Sequence, residues 1–156
     1  MAKPILPGIP SRAAIMGHPL HPMLIPFPIA FLTGAFVTDL AFFFNADAFW
    51  ARASFWLLAA GFLMGIVAAL FGLIDFLLTP YIRSFWGAWV HMIGNDIILV
   101  MAAFNLVFRL EGQSSVPSLG IVLSGLSALG LFISGGIGGN LVFKHKIGVQ
   151  DPTVSD

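Results

Sequence analysis

The chain has 156 residues, of which 58% are hydrophobic and only 9% charged, with a mean hydropathy of +0.97. Soluble domains carry about 25% charged residues, so this composition excludes that class and indicates an integral membrane protein. Seven basic residues balance seven acidic ones and no cysteine is present. Nothing therefore points to nucleic acid, and disulfides, iron–sulfur ligation and a cysteine nucleophile are excluded.

The opening stretch MAKPILPGIPSRAAIMG is proline-rich and lacks a compact apolar run with a small-residue cleavage site, so no removable signal peptide is expected. Crossing a hydrocarbon core takes about 20 predominantly apolar residues. Four segments qualify, near 24–44, 54–78, 86–108 and 119–140. The connectors 45–53, 79–86 and 110–118 carry the charges, prolines and polar residues that loops require. Short connectors make neighbouring helices antiparallel. The expected fold is all-α, an up-down four-helix membrane bundle over residues 1–156, with both termini at one end, here called end A. No repeat of fixed period is read from the residues. Lys3, Arg12, Arg83, Lys144 and Lys146 fall at end A, and Arg52 and Arg109 at the opposite end B. Basic residues in short loops mark the cytoplasmic face, so both termini are expected there.

Before the first span stands GHPLHPMLIPFPIAFL, residues 17–32. His18 and His21 each precede a proline, which disfavours helical dihedrals. Both are expected in extended chain, whose three-residue repeat points their imidazoles the same way. Pro26 and Pro28 place the start of regular helix later than hydropathy suggests. In the second span Gly61, Gly65, Ala68 and Gly72 share one face, as do Ser127, Gly130, Ser134 and Gly138 in the fourth. Such stripes of small residues are packing surfaces that let helix backbones approach closely.

Acids within membrane spans are costly and ask for a reason. Asp39, toward end B, is read as a hydrogen-bonded packing residue. Asp75, near end A, and Asp96, close to the middle of the third span beside Asn95, are read as either packing residues or part of a site. The histidines gather at end A: His18 and His21 before the first span, His91 about one turn into the third, and His145 after the fourth. His91 and Asn95 are four apart and share a face, from which Asp96 is rotated away.

Four motifs in order, GHPLHPMLIPFPIA, GLIDF (72–76), HMIGN (91–95) and GGNLVFKHKIGV (138–149), resemble the bacterial membrane family called domain of unknown function 2231. The resemblance covers nearly the whole chain. It implies a four-helix, multi-pass protein of the bacterial inner membrane, with His18, His21, Asp75, His91, Asn95 and His145 at the matching motif positions. Relatives joined to or encoded near redox proteins imply electron transfer by association.

Three readings of function follow. The first is a haem b electron carrier, with cofactor-binding candidates His18, His21, His91 and His145; the metal ligands would be His91 together with His18 or His21 across the bundle. The second is an accessory subunit packed against a larger membrane complex, including a redox complex, or against itself. The third is a proton, metal or small-solute pathway using Asp75, Asp96 and the histidines. No hydrolytic motif is present, so no catalytic residue is nominated and no independent catalytic activity is expected.

Overall fold

The computed structural model describes residues 8–110, 112 and 116–149. A two-residue hairpin opens it, β1 (Ala14–Ile15) against β2 (His18–Pro19). The tip residues Met16 and Gly17 both have positive φ, 50° and 75°, the backbone that a two-residue turn matched to strand twist requires. A single helical turn, α1 (Leu20–Leu24), leads into α2 (Pro26–Asn45). Then come α3 (Ala48–Leu78), the short α4 (Pro80–Arg83), α5 (Trp86–Arg109) and, after a wide turn at Val116–Gly120, α6 (Ile121–Phe143). Four helices are long and apolar enough to cross a membrane, as expected from hydropathy.

Two boundaries differ from the sequence reading, each for a physical reason. Helix begins at Leu20 rather than later than the hydropathy boundary near residue 24, because the prolines occupy first turns. Pro22 is the third residue of α1, and Pro26 and Pro28 are the first and third of α2, where an amide hydrogen would have no partner within the helix. The expected loop 45–53 shrinks to Ala46 and Asp47. Ala46 adopts left-handed dihedrals that end α2, and the Asp47 carboxylate accepts from the Phe49 amide at 2.8 Å to start α3.

The helices form a closed ring in which each packs on two neighbours: α2 on α3, α3 on α5, α5 on α6 and α6 on α2. Leu32 meets Gly61, Pro28 meets Gly65, and Asp39 meets Ser54, so α2 and α3 run antiparallel. A Cβ at Gly61 would lie 2.7 Å from Leu32 Cγ; only glycine permits this approach. The outside is apolar, with Phe104, Phe132 and Leu63 more than half exposed, while Ser54, Asn105, Ser124, Ser127 and Ser134 are buried. That inversion suits a lipid surround, which solvates apolar side chains and leaves polar ones to be satisfied internally.

A structural repeat emerges that residue identity had hidden. The buried residues of α2, Pro28, Leu32, Ala35 and Asp39, correspond one for one to Ile98, Ala102, Asn105 and Arg109 of α5, seventy residues on. Ser54, Leu58, Gly61, Gly65 and Ala68 of α3 correspond to Gly120, Ser124, Ser127, Leu131 and Ser134, sixty-six residues on. The bundle is thus two like hairpins, α2–α3 and α5–α6, facing each other about an axis along the bundle. Parallel repeats of this kind recur in membrane proteins. No single period relates the two halves, in keeping with the sequence reading: the two offsets differ, and the equivalence lies in burial.

Close packing at Gly61 sets the first hairpin, so Gly61→Val is expected to destabilise the bundle by about 1–3 kcal/mol through overpacking. Gly136→Val, on an open surface, should leave thermal unfolding in detergent almost unchanged.

Candidate functional site

At end B the ring is closed by an ion pair across the two hairpins. Arg109 grips Asp39 with both arms, Nη1 to Oδ1 at 2.9 Å and Nη2 to Oδ2 at 2.6 Å, and the two side chains are 2% and 0% exposed. The Ser54 hydroxyl donates to Asp39 and accepts from Arg109 Nη1 at 2.8 Å. Ser124 donates to the second carboxylate oxygen. Arg109 Nε donates to Asn105 Oδ1 at 2.9 Å, and Asn105 Nδ2 in turn donates to the Gly120 carbonyl at 3.1 Å. Both charges are matched by a bidentate geometry and further hydrogen bonds, the condition for a pair to survive burial. Asp39 does pack helices, as expected, but through an arginine that the sequence reading counted only among the charges at end B. Its only sequence signal was a lone cation at the end of an apolar span.

At end A the same repeat brings histidines together. His21, on α1, donates from Nδ1 to the Ala68 carbonyl at 2.8 Å, and its ring lies against Gly72. His91, on α5, lies within 3.0 Å of the Ser134 carbonyl through Nδ1, and its ring lies against Gly138. The correspondence is again seventy residues for the histidines and sixty-six for their seats. The Ala68 carbonyl can only accept, so His21 Nδ1 carries a proton, whereas His91 Nδ1 lies 3.0 Å from both the carbonyl and the hydroxyl of Ser134. The ring centres are 6.2 Å apart and the planes nearly perpendicular, at 89°. Asn95 Nδ2 donates to the His91 carbonyl at 2.6 Å and to the Ser134 hydroxyl at 2.8 Å, fixing the seat of His91. The small-residue stripes thus pack helices along most of their length and seat an imidazole at one end.

The other candidates separate. His18 is exposed in the hairpin and donates from Nδ1 to the Met16 carbonyl at 2.8 Å. The expectation that His18 and His21 point the same way is corrected: Pro19 ends the extended segment, and His21 already stands on helix. His145 packs on Phe85 instead, ring centres 4.4 Å apart and planes tilted by 47°. Asp96 is exposed on the outer surface of the bundle; five residues beyond His91, it lies about 140° around the helix. Asp75 holds the opening segment over end A, accepting from Ser11 Oγ at 2.6 Å and from the amides of Arg12 and Ala13 at 2.6 and 2.9 Å. A carboxylate near a helix C-terminus opposes the helix dipole, and three donors offset that. Ile9 pairs with Ile147 beside it, so the first and last described segments meet there.

Together these features define a multi-span membrane bundle of two like hairpins, locked by an ion pair at one end and presenting a histidine from each hairpin at the other. The chain belongs to the family described as predicted membrane protein (DUF2231), whose model matches residues 17–151. No curated protein and no solved structure matches it.

Removing either partner of the end B pair leaves a buried charge unpaired, so Arg109→Met or Asp39→Leu alone is expected to cost about 3–5 kcal/mol. The double variant should lose much less than the sum of the two, read by thermal unfolding in detergent as a double-mutant cycle.

Proposed function

We propose that this protein is a membrane electron carrier that binds one haem b between His21 and His91. The observation that carries this reading is a ligand set of two. Among the described residues no group of three or more histidines and carboxylates could hold a metal ion. A bare zinc or similar site draws three or four ligands from protein, whereas a haem iron already has four equatorial nitrogens and asks the protein only for axial ones.

The residues suit that task. His21 and His91 would hold the group through their Nε2 atoms, which requires the two rings to stand close together across the bundle. Their ring centres are 6.2 Å apart. His21 Nδ1 is held by the Ala68 carbonyl and His91 Nδ1 by Ser134, the kind of outer contact that aims a ligating histidine and would leave Nε2 for the iron. Gly72 and Gly138 leave room for the rings, since a Cβ at either would lie within 3.0 Å of an imidazole atom.

When bound, haem supplies a one-electron couple. His21, held by Ala68, and His91, held by Ser134 as fixed by Asn95, would hold the group, surrounded by apolar helix. Phe76 and Trp89 bridge α3 and α5 near the same end, ring centres 4.8 Å apart. His18 and His145 take no part in ligation.

Gently purified protein is expected to show a Soret band with about one haem per chain, the ratio that two axial ligands define. His21→Ala and His91→Ala should each abolish the six-coordinate spectrum, and His18→Ala and His145→Ala should keep it. Folded, colourless protein that gains no Soret band with added haem would contradict the assignment.

A further inference from the structure

We propose that the cleft between the start of α5 and the end of α6 binds the phosphate-bearing headgroup of an anionic phospholipid. The cleft has a volume of about 330 Å³, within the range of small-molecule sites. Its polar lining is Asn140, Lys144 and His145. Each can present a hydrogen-bond donor, Lys144 is a fixed cation, and no carboxylate lines the cleft. Among the described residues none of these three side chains makes a hydrogen bond or ion pair within the protein. His145 is held instead by its ring contact with Phe85, which leaves its nitrogens available. The first turn of α5, uncapped by any side chain, adds the weak positive end of a helix dipole to the same wall.

The position suits a lipid rather than a free anion. Trp86, 79% exposed, stands at the rim, as interfacial aromatics do. Below the polar lining the wall becomes apolar, with Ile137 and Leu141, and continues one turn deeper to exposed Ile133. A ligand that follows this wall carries its charge at the span ends and hydrocarbon beneath.

The structural repeat gives independent support. By the sixty-six-residue correspondence, Leu141 stands where Asp75 stands in the first hairpin. There the groove is covered by the chain itself, with Ser11, Arg12 and Ala13 bound to the carboxylate. In the second hairpin the carboxylate is replaced by leucine, Lys144 stands beside it, and a cleft opens. An anionic headgroup is the chemical complement of that exchange. The proposal does not rest on the haem reading, and its test needs no cofactor.

The test is native mass spectrometry of the full chain, titrated separately with phosphatidylglycerol, phosphatidylcholine and inorganic phosphate. Phosphatidylglycerol is expected to bind at about one per chain, tighter than phosphatidylcholine, with inorganic phosphate binding far more weakly. Lys144→Glu should weaken phosphatidylglycerol about tenfold or more, as loss of a charge-assisted contact does. Lys146→Glu, the same charge change outside the cleft, should keep it. If Lys144→Glu unfolds, as judged by helical circular dichroism, Lys144→Gln takes its place with the same expected direction. Equal binding of the two lipids, an unchanged affinity in the folded Lys144 variant, or inorganic phosphate binding as tightly as the lipid would each overturn the proposal.

Discussion

In a hydrocarbon surround no water is available to pair a polar group, so every buried donor and acceptor must find its partner inside the protein. The ion pair of Asp39 and Arg109 is where that constraint binds hardest, and the rest of the bundle is arranged around meeting it. Arg109 reaches α2 and α3 at once, through Asp39 and Ser54, while Ser124 brings in α6. All four spanning helices are therefore tied at end B by one network. With register set there, the stripes of glycine and serine run in step toward end A and deliver two imidazoles to their seats.

The two ends are chemically opposite versions of one design. A pair of like hairpins places equivalent residues against each other near their shared axis. At end B the equivalent positions hold opposite charges, Asp39 and Arg109, and the result is a closed lock. At end A they hold the same residue, His21 and His91, each anchored through one nitrogen by a carbonyl of its own hairpin. Two like rings do not neutralise each other as an ion pair does; each is held through one nitrogen and leaves the other outside its seat. That difference is why end A is read as a place for a ligand and end B as a structural clamp. The segment held by Asp75 and the bridge between Ile9 and Ile147 cover end A without pairing either histidine.

Much of the architecture was legible in the amino-acid sequence because hydropathy over 20-residue windows reports what lipid demands. What was not legible depended on position within an element or on distant partners. Pro22 and Pro26 read as delaying the helix, yet each, like Pro28, falls in a first turn where proline removes no helical hydrogen bond. Polar residues of 45–53 read as a loop, yet Asp47 caps a helix that simply extends past the apolar stretch. Arg109 read only as a basic residue at end B, since nothing local discloses a carboxylate seventy residues away. Clustering of histidines at end A was visible, but which two meet was decided by where helix begins: at Leu20, after His18 and before His21. The repeat escaped because Ala35 corresponds to Asn105 and Leu58 to Ser124, matched in burial and unlike in chemistry.

The central claim, that one histidine from each hairpin serves a single haem, is tested most directly by electron paramagnetic resonance of the ferric protein carrying nitrogen-15 histidine. A low-spin ferric signal with hyperfine coupling to two imidazole nitrogens, reduced to one in His21→Ala or His91→Ala, is the result expected. A high-spin signal, coupling to one imidazole only, or a two-imidazole signal that survives loss of His21 or His91 would contradict it.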